Sequence, residues 1–133
     1  QNRLQEFSKE RKEFLPESLP EWDTGMAVPI EERITIDHTW KELRTLMWNY
    51  VGIVRTDHRL EMAFSRIQLI QHEIHEYYWK YILTSDLIEL RNLVTVASLI
   101  VQSALIRKES RGLHYNIDHP HQDDRFFLRD TIL

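Results

Sequence analysis

A chain of 133 residues, 42% hydrophobic and 29% charged, can bury one core and is too short for two ordinary domains. With 17 Lys+Arg against 21 Asp+Glu it carries a net charge of −4, which excludes general electrostatic attraction to nucleic acid or an anionic membrane. The absence of cysteine excludes disulfides, thiolate zinc sites and cysteine nucleophiles, and the three scattered glycines, Gly25, Gly52 and Gly112, cannot build a Gly-rich phosphate loop.

The chain starts at Gln1 and so reads as processed or as a piece of something longer. Residues Gln1–Leu15 lack the apolar stretch of a signal peptide. The longest uncharged run, Asn92–Ile106, falls short of the roughly 20 apolar residues that span a bilayer, so a soluble cytoplasmic protein is expected.

In chain order, residues 1–32 read as an extended leader. A short charged helix fits Arg3–Phe14, after which Pro16, Pro20 and Pro29 interrupt regular structure. Phe14, Leu15, Leu19, Trp22, Met26 and Val28 are spaced as surface anchors, and Arg33-Ile34-Thr35-Ile36 is β-branched but too short to support a sheet. A first helix is expected from an Asp37 N-cap, with Trp40, Leu43, Met47 and Tyr50 as its stripe and Gly52 as its end. A second starts near Thr56 or Asp57 and carries Leu60, Ala63, Ile67, Ile70, Ile74, Tyr77 and Tyr81 in unbroken 3-4 alternation. Thr84, Ser85 and Asp86 make the next turn and cap. The third helix has Leu87, Leu90, Val94, Ala97, Val101 and Ala104, and should stop at Gly112 behind the dipole-matched cations Arg107, Lys108 and Arg111.

Short connections between such helices imply an all-α, up-down-up three-helix bundle, left-handed and spectrin-repeat-like, over residues 33–112. Leu93, Val96, Leu99, Ile100, Leu105 and Ile106 add apolar surface to helix three beyond its stripe, so either the leader and neighbouring helices or a further domain must cover it. The irregular tail, 113–133, holds Tyr115, Ile117, Phe126, Phe127, Leu128 and Ile132, enough apolar groups to dock.

Candidate chemistry is sparse. His72 and His75 stand at i, i+3, outside the HExxH zinc spacing, and fit a solvated polar face. His114, His119, His121, Asp123 and Asp124 have metal-like composition on a loop but fit a polar docking tail, so no metal is expected. No serine sits in a nucleophile elbow. The four tryptophans, Trp22, Trp40, Trp48 and Trp79, suit packing better than base stacking. One segment is denser than a helix end requires: Arg107-Lys108-Glu109-Ser110-Arg111-Gly112-Leu113-His114-Tyr115. Capping explains Arg107, Lys108 and Gly112, but not Ser110, His114 or Tyr115.

That segment, extended to R-K-E-S-R-G-L-H-Y-N-I-D-H-P (Arg107–Pro120), resembles the C-terminal signature of the succinate dehydrogenase/fumarate reductase flavoprotein family. L-M-W-N-Y-V-G-I-V-R-T (Leu46–Thr56), E-Y-Y (Glu76–Tyr78) and L-I-E-L-R-N-L-V (Leu87–Val94) extend the likeness, and M-W-N-Y-V-G-I-V-R-T (Met47–Thr56) with S-R-G-L-H-Y (Ser110–Tyr115) favours the family's oxidase branch. H-P-H-Q-D-D (His119–Asp124) is closer to the ending of its succinate dehydrogenases. The resemblance implies a C-terminal three-helix bundle that packs on a flavin domain. It implies a parent enzyme holding FAD and oxidising L-aspartate to iminoaspartate on the route to quinolinate and NAD. The parent's flavin-binding and capping domains would then be the partners. The motifs that bind flavin and substrate lie in those domains, so no catalytic, cofactor-binding or metal residue carries over, and this chain alone is expected to be inactive. Glu109, Ser110, Arg111, His114 and Tyr115 are the expected interdomain contact, with Arg111 exposed when the bundle stands alone. The rival readings are a succinate or fumarate flavoprotein subunit, partnered by an iron–sulfur subunit, and a free-standing helical interaction module.

Overall fold

The apolar stripes become three long helices: α1 (Ile34–Tyr50), α2 (Asp57–Lys80) and α3 (Ser85–Ile106). The computed structural model describes residues 21–30 and 34–133. The helix expected over Arg3–Phe14 and the anchors Phe14, Leu15 and Leu19 lie outside them.

Threonine caps start the two longest helices. Thr56, in extended backbone, accepts a hydrogen bond from the Arg59 N–H at 3.2 Å, and Thr84 accepts from the Leu87 N–H at 3.3 Å. Each satisfies one of the donors a helix start leaves unpaired. The helices bury one another along the expected positions. Leu60, Ile67 and Ile70 of α2 and Leu87, Leu90, Val94 and Val101 of α3 are fully buried. Leu43 and Ile36 of α1 close the third side, with Trp40, Met47, Tyr50 and Tyr77 half-buried against them.

Four expectations fail, each for a physical reason. The chain is already helical at Ile34, so Asp37 lies in the first turn and favours the dipole there instead of capping. Ile34, Thr35 and Ile36 lie in the same helix, burial of Ile36 outweighing a weak propensity. α3 ends at Ile106 and not at Gly112: Arg107 turns to extended backbone (φ −82°, ψ 94°), which frees the next residues to fold back. Tyr81 likewise leaves α2 as an extended residue, forming a bridge with Val28. The fourth concerns the large apolar groups. Trp22, Trp48 and Trp79 are exposed, as is Met26, and only Trp40 packs on the core. The three exposed tryptophans lie off the helix stripes, so no core position is aimed at them.

Gly52 lets the chain leave α1, since a Cβ there would stand 2.9 Å from the Trp48 carbonyl oxygen.

Of the six apolar residues of α3 named outside its stripe, Leu105 packs against the core and the other five stay uncovered. Leu93, Val96, Leu99, Ile100 and Ile106 are between 37% and 53% exposed. At 100° per residue they cluster on the side away from Leu87, Leu90, Val94 and Val101, so α3 has two apolar faces and the bundle uses one. Among the described residues α3 is also the one helix long and apolar enough to cross a membrane by length and composition. Its first turns, Ser85 to Arg91, extend the uncharged run backwards into a 22-residue helix.

Candidate functional site

Past Ile106 the chain wraps over the start of α2 and builds a polar knot. Two short strands, β1 (Val54–Arg55) and β2 (Tyr115–Asn116), pair in parallel with Val54 opposite Tyr115. Arg111 and His114 exchange both backbone hydrogen bonds, at 2.9 and 3.0 Å, around Gly112-Leu113. Gly112 has φ +59° and among the described residues no non-Gly residue has positive φ, so glycine holds the first central position of the turn, as a II′ hairpin demands. The sequence thus flagged Gly112 as left-handed, but for a helix end that lies six residues earlier. A single-turn helix, α4 (Asp124–Phe127), follows.

Glu109 is fully buried at the centre. Arg111 donates to it as a fork, Nε to Oε1 at 2.9 Å and Nη2 to Oε2 at 3.0 Å. Arg107 Nη1 donates at 2.6 Å and the Asp123 N–H at 2.9 Å. Arg111 also pairs with Asp124. The Arg111 fork, helped by Asp123 and Arg107 and opposed by desolvation, holds the Glu109 carboxyl at about 2. The same pairing raises the Arg111 guanidinium further. Arg111 is therefore not exposed and waiting for a partner: its donors are engaged within this chain, and Arg111→Ala would be felt here too. Arg107 reaches on to the tail, donating to the carbonyls of Phe127 at 3.0 Å and Arg129 at 2.7 Å and to the Thr131 hydroxyl at 3.0 Å.

A second hub forms on Asp57, in the first turn of α2. It accepts from Lys108 Nζ at 2.8 Å, Asn116 Nδ2 at 2.8 Å and His119 Nε2 at 2.9 Å. Burial disfavours its charge, but these donors more than offset that and hold its carboxyl at about 2. Asn116 is fully buried and its side-chain oxygen accepts from the Asp118 N–H. Ser110 donates to the His119 carbonyl at 2.7 Å and accepts from the Asn116 N–H at 2.9 Å. Among the described residues no buried side-chain nitrogen or oxygen lacks a partner.

Of the expected contact residues, Glu109, Ser110, Arg111 and His114 converge inside this knot. Tyr115 faces outward beside Val54, and Leu113 and Ile117 are also exposed. Arg55, Asp57 and Asn116 escaped sequence reading, because partners about 60 residues apart leave no local pattern. His72 and His75 are exposed on α2, where His75 packs edge-on to Trp79. His114 and His119 are turned to Arg55 and Asp57, and among the described residues no three His, Asp or Glu side chains converge as a metal-binding group.

Chemically, each carboxylate of the two hubs is spent on a cation or an amide, and the Ser110 hydroxyl is spent on the His119 carbonyl and the Asn116 N–H. Nor do the described residues fit a dinucleotide. The strand-to-helix step from β1 to α2, Arg55-Thr56-Asp57, has no glycine, and the N-terminus where a pyrophosphate would sit is taken by Thr56 and by Asp118, which accepts from the Asp57 N–H at 2.7 Å.

The knot sets an acid limit. Glu109 and Asp57 drop to about 2 from 4.5 and 3.8. Lowered carboxyl values mean stabilisation that is complete above pH 4.5 and lost as pH falls toward 2. Below pH 4.5 urea midpoints should fall steeply on account of these two carboxylates, with Asp57→Asn flattening part of that fall. A midpoint flat to pH 2.5 would contradict this.

The family model for the fumarate reductase flavoprotein C-terminus matches residues 40–133. An L-aspartate oxidase from Vibrio cholerae is 53% identical over 108 residues, covering 81% of this chain and 20% of its own. One from Acinetobacter baylyi is 47% identical over 125 residues, 94% of this chain and 23% of its own. A chloroplastic L-aspartate oxidase from tobacco is 44% identical over 97 residues, 69% and 15%. The chain thus spans about a fifth of the length of the curated bacterial relatives it matches.

Proposed function

The chain belongs to the fumarate reductase flavoprotein C-terminal family, and from that premise we propose that it is the C-terminal helical domain of an L-aspartate oxidase. The parent would use FAD to oxidise L-aspartate to iminoaspartate, the step that feeds quinolinate and NAD synthesis. Flavin and substrate would be held by the flavin-binding and capping domains of the same polypeptide, and the present domain would serve as structure, without flavin, metal, nucleic acid or membrane of its own. Leader 1–32 and tail 113–133 would flank the bundle. A cytoplasmic setting goes with this reading and rests on greater likeness to the bacterial enzymes than to the chloroplastic ones.

The observation that carries the proposal is near-half identity to L-aspartate oxidases over most of the chain. Two structural features support it. The hubs are closed on themselves, as a scaffold would be, and α3 keeps an uncovered apolar face that a neighbouring domain would fill. Segment Glu109–Tyr115 would belong to that contact, with Tyr115 presented outward and Glu109, Ser110, Arg111 and His114 shaping it from within.

The test is anaerobic reduction of the flavin in the full-length protein. L-aspartate should bleach it, while succinate at the same concentration should not. Bleaching by succinate alone would move the assignment to a succinate or fumarate flavoprotein subunit. A full-length product without flavin would overturn both and leave a helical interaction module.

A further inference from the structure

His114 joins two helix ends. Arg55 donates from Nε to the Gly52 carbonyl at 2.9 Å, behind α1, and its Nη1 meets His114 Nδ1 at 2.8 Å. His114 Nε2 lies 3.2 Å from the Arg107 carbonyl at the end of α3. A guanidinium has donors only, so Nδ1 must accept, and the ring proton must then sit on Nε2 and point at Arg107. The ring is therefore neutral in this arrangement and bonded on both sides. A second proton would have to occupy Nδ1, directly against an Arg55 N–H.

We propose that His114 is an acid-sensitive latch, closed when its imidazole is neutral and opened by protonation, which releases Arg55 and loosens the β1–β2 pair and the Arg111–His114 turn. The groups facing the ring are Arg55 from β1 and Arg107 and Glu109 from the segment after α3. Two are cations, and the carboxylate is already engaged by Arg111 and Arg107. Burial lowers the affinity of His114 for a proton, opposed by the hydrogen bond to the Arg107 carbonyl and reinforced by the Arg55 and Arg107 charges. Closure is thus complete above the ordinary imidazole value of about 6.5 and is lost as pH falls below it. His119 bonds the Asp57 carboxylate and not Arg55, so it serves as the control. The latch stands apart from the oxidase assignment, and either can fail without the other.

The test uses the 133-residue chain with isotope-labelled histidine, followed by NMR from pH 8 to 5. At pH 8 the His114 ring nitrogens should report the neutral Nε2–H form. Below pH 6.5 the Ile117 amide, which donates to the Arg55 carbonyl at 2.9 Å, and the His114 amide should lose protection beyond the intrinsic effect of pH, by up to about tenfold per unit. His114→Gln should abolish this pH response and His119→Gln should keep it. A ring that is charged or protonated on Nδ1 at pH 8, protection independent of pH, or an undiminished response in His114→Gln would each overturn the latch, as would its loss in His119→Gln. Should His114→Gln fail to fold, the tautomer and the wild-type protection decide.

Discussion

Glu109→Gln is expected to cost more stability than any other polar substitution in the described chain and to free the segment from Lys108 to the tail. The native carboxylate accepts four hydrogen bonds from Arg111, Arg107 and the Asp123 amide, with no water-exposed surface to fall back on. A glutamine has the same shape but carries an NH2 in place of one oxygen. Whichever way it turns, that NH2 confronts a donor, while Arg107 loses its counter-charge and Arg111 keeps only Asp124. The comparison is Arg66→Gln, which removes a surface ion pair with Glu42 and should cost at most about 1 kcal/mol. Urea melts of both variants give the ordering, and amide exchange at Ser110 and Asp123 locates the damage. Equal losses in the two variants would show that the knot is ornament on a bundle stable without it.

The knot also marks where sequence reading stopped. The helices were legible because burial repeats along them: Leu60, Ala63, Ile67, Ile70 and Ile74 announce one buried face by spacing alone, and all five are buried. The helix starts were legible to within a residue or two, the caps falling at Thr56 and Thr84 within the stretches before the stripes, while Asp37 lies inside a first turn and does not cap. The end of α3 was misplaced because its rule is not local. Arg107, Lys108 and Gly112 match a helix terminus in composition, yet Arg107 leaves the helix to reach Glu109 and three groups of the tail 20 to 24 residues on. Asp57 likewise reads as an ordinary first-turn acid until Asn116 and His119 arrive from about 60 residues away. The dense motif was visible as an excess over capping; that its excess faces inward was not, since spacing says which residues are near in the chain and not which way a non-helical segment folds.

The two faces of α3 should respond oppositely to substitution. Leu90 is 1% exposed, and Leu90→Ala removes three buried carbons from the seam with α2, so a loss of about 2–5 kcal/mol is expected in the isolated chain. Val96 and Ile100 are about half exposed on the other side of the same helix. In the isolated chain the pair Val96→Asp and Ile100→Asp should each change stability by no more than about 0.5 kcal/mol, because neither fills a core position. In the full-length parent the same pair would place two carboxylates against an apolar neighbour without partners, and burying them there is far costlier than exposing them. Flavin retention and melting temperature of the parent should then fall while the isolated bundle stays intact. Leu90→Ala should instead weaken both. If the Asp pair leaves the parent unchanged, the outer face of α3 would be open to solvent in the proposed whole enzyme, and the neighbouring domains would meet the bundle elsewhere, with Leu113, Tyr115 and Ile117 among the exposed apolar residues beside the knot.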